Sequence, residues 1–366
     1  MNIALLDPAA FTLVYDHALA QALADQGCSV DLLTSHYPFA AMPAERGYGV
    51  RLSFTNHPQL ARSKVASLGR RLGRHTREMV RIGKLADRYD LLHFQWFAIP
   101  LIDNLIRLPR RPIVFTPHDV VRRETTSLQH RAQLGLCHRA DAIITHYQRG
   151  RERLIESGIA ADRIRVIPIG AYEHLASQPY EEPLEEALRA WEGPVVLFFG
   201  VLRPNKGLEV LLEAWRGITN AELWIVGAPN MDVRSLVAAA PPNVRFVSRW
   251  VNESELPTFF RRADLVVLPY TDIDQSGVAL TALAFGKPLL LSDVGGFPDI
   301  AGEGAAAMVA AGDPGALHDA MARLLADPEA RERLANGATA GAKGPFSWAR
   351  IAEQTIAVYR EVLAGP

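Results

Sequence analysis

Cysteine is nearly missing from this 366-residue chain: Cys28 and Cys137 are the only two, far apart and outside any CxxC pair. That excludes a disulfide framework and a cysteine-based zinc site, and it fits a reducing cytoplasm. Long hydrophobic runs are missing too. The longest apolar stretch, 91–102, is interrupted by His93, Gln95 and Pro100, and is too short and too polar to span a bilayer. The opening MNIALLD has neither a basic n-region nor a long apolar core, so no secretory leader is expected. Two nucleotide fingerprints are also absent. Asp7-Pro8-Ala9-Ala10-Phe11 stands where a dinucleotide-binding protein carries GxGxxG, and 200–207 lacks the spacing and the GK[ST] ending of a Walker A loop. These absences weigh against a dehydrogenase and a P-loop NTPase.

The remaining composition is that of a globular protein, 49% hydrophobic and 22% charged, long enough for two domains. The net charge of −1 conceals an asymmetry. Residues 1–170 hold 23 basic and 15 acidic side chains, whereas 171–366 hold 16 and 25. The basic excess concentrates in 62–88, where nine Lys/Arg oppose Glu78 and Asp87, and Val65, Leu68, Leu72, Met79, Ile82 and Leu85 recur at helical spacing. This predicts a basic amphipathic helix. It suits an anionic membrane surface or an acidic acceptor, or else is a solvated face over a buried stripe. Aromatic residues are not interleaved with it, so nucleic acid is not an expected partner.

Short β-rich runs alternate with helical patterns. In the first half they fall at 2–7, 29–34, 49–54, 90–95, 112–116, 140–146 and 164–169; in the second they begin near 194, 221, 243, 264 and 287. The later runs (VVLFFG, LWIVG, LVVLPY, PLLLS) are continuously apolar, as parallel strands covered on both faces should be. The class is therefore α/β, with two doubly wound, Rossmann-like domains. The expected boundaries are 1–170, a Pro- and Glu-rich linker at 171–193, a second domain at 194–345, and a closing helix within 346–366.

Ligands of open parallel sheets bind beyond the carboxyl ends of the strands. Three loops of the second half have the chemistry for it. In 200–207, GVLRPNKG, Gly200 permits a tight approach, and Arg203 and Lys206 can face a diphosphate. In 269–278, Ser276 is a good N-cap and Gly277 leaves a helix N-terminus open to an anion, while Asp272 or Asp274 can accept from sugar hydroxyls. In 292–299, paired glycines allow another close backbone approach.

Together these loops are spaced like a nucleotide-diphosphate-sugar site, and here the sequence resembles the glycosyltransferases of family four, which have the GT-B fold. The resemblance covers nearly the whole chain and is strongest over 194–300, in GVLRPNKG, SGVALTALAFGKPLLLSDVGG and Asp299, with FSW and Arg350-Ile351-Ala352 resembling the family's closing helix. It implies two domains facing a central cleft, with a last helix that crosses back onto the first domain. It implies transfer of a hexosyl group from a UDP- or GDP-linked sugar to a hydroxyl; the basic 62–88 segment points to a lipid-linked or polysaccharide-precursor acceptor at the cytoplasmic side, peripheral to a membrane. Gly200, Arg203, Lys206, Asp274, Gln275, Ser276, Gly277, Val278, Thr281 and Val251 are the implied donor contacts. His118 and Asp119 join Arg203 and Lys206 as the implied catalytic set; His93, Gln95 and Trp96, after another strand, are expected to line the acceptor pocket, and Tyr15, Asp16 and His17, where the family usually has paired glycines, suggest a tailored acceptor contact. His146 follows a further strand and faces the same cleft or caps a helix. No cofactor or metal is expected, because the cations and the helix dipole supply the charge that a metal would. One departure stands out. The family's two glutamates, eight positions apart, fall on Ile273 and Thr281 here. An epimerase of the same fold, and a degenerate nucleotide-sugar-binding scaffold, are the alternatives.

Overall fold

The computed structural model describes residues 1–36, 47–54, 66–120, 127–178 and 186–365, with 66–71 and 186–187 as backbone. They form two compact units, Met1–Ile169 with Trp348–Pro366, and Gly170–Ser347.

The first unit is built on a seven-stranded sheet, all pairings parallel, in the order β3-β2-β1-β4-β5-β6-β7. Its strands are β1 (Asn2–Asp7), β2 (Ser29–Ser35), β3 (Gly49–Phe54), β4 (Leu91–Phe94), β5 (Ile113–Phe115), β6 (Ala142–Thr145) and β7 (Ile164–Val166). Ile3, Leu5, Leu6, Leu92 and Phe94 are sealed from solvent, which is why these runs carry no alternation. The order reverses between β1 and β4, and a crevice opens at such a switch point.

The second unit has six parallel strands in the order β10-β9-β8-β11-β12-β13. They are β8 (Val195–Phe199), β9 (Glu222–Val226), β10 (Val244–Val247), β11 (Leu265–Leu268), β12 (Leu289–Ser292) and β13 (Ala306–Val309). Its switch point lies between β8 and β11. The sequence pattern does not mark β13: half its residues are alanine, a poor strand former, and as an edge strand it is only half-buried.

The stretch read as a linker is partly structured. Within the second unit, the helix Glu173–Ala176 packs on the helices Leu256–Arg262 and Gly277–Ala284. Arg261 donates to the carbonyls of Ala176 and Gln178, each at 2.8 Å. Residues 179–185 lie outside the described residues.

The last helix, Trp348–Ala364, belongs to the first unit. Ile351, Ala352, Thr355, Ile356, Val358 and Tyr359 are buried, following the helical repeat, and the helix packs on Leu13–Asp25. The basic segment forms the helix Ala66–Leu85; Val65 and the side chain of Leu68 lie outside the described residues. Its buried stripe is His75, Met79 and Ile82. His75 Nε2 lies 2.6 Å from Asp103 Oδ1 with both side chains buried, and Asp103 Oδ2 accepts the Ile99 N–H at 2.9 Å. The opposite face exposes Arg74, Arg77, Val80, Arg81 and Lys84.

Two carboxyls share the buried turn after β1. Asp7 accepts the N–H groups of Ala9 and Thr12 at 3.2 and 3.1 Å, while Asp16 lies fully buried beside it. Burial, then the neighbouring Asp7 charge, holds the Asp16 carboxyl well above the usual range, and burial raises Asp7 as well. A raised folded-state value means stability that is fully present below the unfolded value and is lost as pH rises through the folded one. Asn reproduces the protonated shape without a titrating proton. Asp16→Asn should therefore gain on wild type in melting temperature as pH rises from about 5 to about 8; a constant deficit across that range would refute the raised Asp16 carboxyl.

Candidate functional site: a cationic loop and a capped helix at the switch point

The loops after β8 and β11 flank the switch point of the second unit and are locked together. Gly207, at φ 69°, turns the chain from Pro204–Lys206 into the helix Leu208–Ala214. A Cβ there would sit 1.9 Å from the Pro269 carbonyl oxygen, so only glycine fits. Asn205 Nδ2 donates to the Asp272 carbonyl at 2.9 Å, and the Thr271 N–H donates to the Asn205 carbonyl at 3.0 Å. Lys206 Nζ lies 3.7 Å from the centre of the Tyr270 ring, which holds the ammonium by its π face. Arg203 is exposed at the start of the turn.

Ser276 caps the helix Gly277–Ala284, its Oγ accepting the Ala279 N–H. Val278 packs close to Gly200, where an added Cβ would stand 3.3 Å from Val278 Cγ2. The sheet edge thus gathers Gly200, Arg203, Lys206, Ser276, Gly277 and Val278 on two neighbouring loops. The free N–H groups of a helix start and two cations are what an anion needs there. Gln275 is half-buried beside them. Asp274 is buried, and its carbonyl accepts the Gly296 N–H at 3.0 Å. Thr281 is buried with its hydroxyl returned to the Gly277 carbonyl at 2.8 Å. Val251 follows β10, two strands from β8, where Arg249 pairs with Glu255 at 2.8 Å and Trp250 is exposed.

The third loop differs from the sequence expectation. Gly295, at φ 51°, would place a Cβ 2.0 Å from the Ile273 carbonyl oxygen. Its close backbone approach is to the neighbouring loop. Two aromatic residues carry no sequence signal of their own. Tyr270 lies under Lys206, and the Tyr172 ring lies over Gly277, 3.3 Å from where a Cβ would stand. Burial pushes the Tyr172 hydroxyl up to about 12, so it stays a neutral donor.

In the first unit, the expected polar residues line up along the carboxyl edge and turn inward. Tyr15, Asp16, His17, His93, Gln95, Trp96, His118 and His146 are all buried. His93 bridges Tyr359 Oη at 2.6 Å and Thr116 Oγ1 at 2.7 Å, tying the last helix to the sheet. His17 Nδ1 meets the Tyr48 hydroxyl. His118 is held by Gln95 and His146, stacks on Trp96 at 5.4 Å and receives the Tyr15 ring edge at 4.8 Å. Burial lowers all three sheet-edge histidines, His93 to about 3, His146 to about 4 and His118 well below the free value, so they are neutral at physiological pH. Asp119 is exposed, and its carbonyl accepts Gln133 Nε2 at 2.6 Å. At this unit's switch point Trp96 Nε1 donates to Thr12 Oγ1 at 2.9 Å and Phe11, partly exposed, packs on the indole edge. Phe11 and Thr12 are additional candidates for ligand contact; their place after β1 is the sequence signal that points to them.

Two parallel-sheet Rossmann-like units define a protein of the GT-B class. The model of Glycosyltransferase Family 4 matches residues 14–171, and that of Glycosyl transferases group 1 matches 193–327. The chain belongs to the family-four glycosyltransferases. It is 28% identical over 313 residues to a D-inositol 3-phosphate glycosyltransferase of Corynebacterium glutamicum (strain R), covering 75% of this chain and 73% of that one. Among solved structures it is similar to the sucrose-phosphate synthase of Thermosynechococcus elongatus, with a TM-score of 0.75 and 21% identity over 100% of both chains. It is also similar to Anabaena HepE in complex with UDP-glucose, with a TM-score of 0.72 and 21% identity, over 98% of this chain and 99% of that one.

The interlock of the two loops gives a direct expectation. Gly207→Ala combines a left-handed backbone with a clash against Pro269, and should cost about 3 kcal/mol or more in unfolding free energy. Denaturant titration of the variant checks it; a loss below about 1 kcal/mol would show that the loops are not pinned there.

Proposed function

We propose that this chain transfers a hexosyl group from a UDP-linked sugar to a hydroxyl of an anionic, phosphate-bearing acceptor. The observation that carries the donor half is the convergence of Arg203, Lys206 and the Ser276-capped helix on one switch point. Negative charge grows on the departing diphosphate as the glycosidic bond breaks, and groups already fixed around it stabilise that state most. Arg203 supplies a planar fork, Lys206 a point charge, and the helix its unpaired N–H groups. HepE holding UDP-glucose supports uracil as the base, and the inositol-phosphate relative supports a phosphate on the acceptor. The basic surplus of residues 1–170 accords with such an acceptor.

Arg203→Ala and Lys206→Ala should each lower kcat/KM by about 10²–10³ with melting temperature little changed, and each should weaken the thermal shift given by UDP. Wild-type turnover in either variant would sink the assignment. Product formed only when an acceptor is present separates transfer from epimerisation.

We further propose that the exposed face of Ala66–Leu85 rests on an anionic bilayer. Arg74, Arg77, Arg81 and Lys84 share that face with Val80, and each cation near an anionic surface is worth about 1 kcal/mol. Arg77→Glu with Arg81→Glu should abolish co-sedimentation with phosphatidylserine vesicles at low salt while catalysis on a water-soluble acceptor persists; undiminished sedimentation would remove the membrane from the reading.

A further inference from the structure

Four consecutive parallel strands of the first unit end in one hydrogen-bonded row. Gln95 follows β4, His118 follows β5, His146 follows β6 and Ile167 follows β7. Gln95 Oε1 lies 3.0 Å from His118 Nε2, His118 Nδ1 lies 3.2 Å from His146 Nε2, and His146 Nδ1 lies 2.9 Å from the Ile167 carbonyl oxygen. The side chains of Gln95, His118 and His146 are buried.

The hydrogens of this row can be assigned from its Ile167 end. A backbone carbonyl only accepts, so His146 must carry its hydrogen on Nδ1. As a neutral ring it then has a lone pair on Nε2. His118 has to donate into that lone pair from Nδ1, which leaves His118 Nε2 with a lone pair of its own. An amide oxygen cannot satisfy that nitrogen. The Gln95 carboxamide must present its NH2 instead; half a turn about its last bond does this in the same space and brings its oxygen to His93, whose ring nitrogens lie 3.3 and 3.4 Å from the amide's other end. The other arrangement leaves the amide oxygen on Nε2. Acceptors then stand at both ends, and two rings must hold three hydrogens, one more than two neutral imidazoles carry. That places a cation among buried groups, with His93, Tyr15 and Tyr359 as the titratable neighbours, and its burial is costly.

We infer that the Ile167 carbonyl, acting through His146, fixes His118 as its Nδ1–H tautomer, so that His118 offers a lone pair and not a hydrogen at Nε2. His146 is a positioning residue for His118. A substrate group that replaces the Gln95 amide at Nε2 must then be a hydrogen donor, as a sugar hydroxyl is. This last consequence rests on the family-derived reading of His118 as a substrate contact in the proposed transfer; the tautomer itself does not.

The test starts with the full chain, labelled with 15N-histidine and studied without substrate by long-range 1H–15N correlation at neutral pH. His118 and His146 should both show the Nδ1–H pattern, the minor form of free histidine. An Nε2–H or doubly protonated His118 would overturn the assignment whatever the activity proves to be. His146→Asn keeps an N–H for Ile167 but is too short to set an acceptor where the far ring nitrogen stood against His118. In that variant His118 should revert to the Nε2–H pattern against the Gln95 oxygen. Its kcat should fall about tenfold or more, while KM for the nucleotide sugar stays within about twofold. Wild-type kcat in a variant whose His118 tautomer has changed would overturn the positioning role. Should His146→Asn fail to fold, Gln95→Leu provides the second variant: it removes the amide but not the His146 bond, and His118 should keep the Nδ1–H pattern.

Discussion

Everything placed at either candidate site depends on parallel sheets that are covered on both faces. Such strands have no solvent side on which to carry polar residues, so chemistry is displaced to their carboxyl ends. The reversal of strand order then decides which ends open to a ligand. In the second unit that reversal falls between β8 and β11, and the loops after those two strands carry Arg203, Lys206 and Ser276. Gly207 against Pro269 and Asn205 against Asp272 and Thr271 keep the loops in register, so the cations are presented by a rigid edge.

The two units use that edge in opposite ways. Residues 171–366 have a surplus of acidic side chains, which by bulk electrostatics repels a nucleoside diphosphate. Local placement can outweigh that surplus: screening confines exposed charges to about 8–10 Å, whereas a diphosphate bound as proposed at the switch point would touch the cations and the helix start directly. The first unit has the basic surplus, yet its carboxyl edge is a row of buried, neutral side chains. Its polarity is directional, carried in who donates to whom, and a single backbone carbonyl sets that direction.

What was legible in the sequence follows the same division. Strand starts were legible because a short, continuous apolar run bounded by loops fits a covered strand and little else, and β13 escaped because Ala306 and Ala307 give no such run. The two loops at the switch point were legible because their logic is local: a cap, a glycine and two cations within ten residues of a strand end. Tyr172 was not, because its contact with Gly277 joins segments a hundred residues apart, one of them read as linker. Nor was the burial of Asp16, His17 and His93. A polar residue pattern tells where a side chain sits along an element, while the burial that raises the Asp16 carboxyl and the His93 bridge to Tyr359 are made by tertiary packing. The glycines of 295–296 show the converse error, a ligand-like signature that the fold uses for packing one loop on another.

The two positions that carry glutamates in the resembling family bear on how the donor is held. Ile273 is buried and its carbonyl lies against Gly295; Thr281 is buried and bonded to the carbonyl of Gly277. Neither supplies a carboxylate to a ribose or a sugar hydroxyl, and Asp274 is itself largely covered. With those carboxylates gone, the proposed site would shift recognition to the diphosphate, which would meet a guanidinium, an ammonium and backbone N–H groups. Charge-assisted bonds of that kind are roughly twice as strong as neutral ones. The binding energy is then concentrated on the group whose charge increases as the bond to the sugar breaks, so little of it is spent on the ground state of the sugar. If the proposed site holds the donor, it would favour catalysis over tight capture of the intact donor and tolerate more variation in the sugar than in the diphosphate.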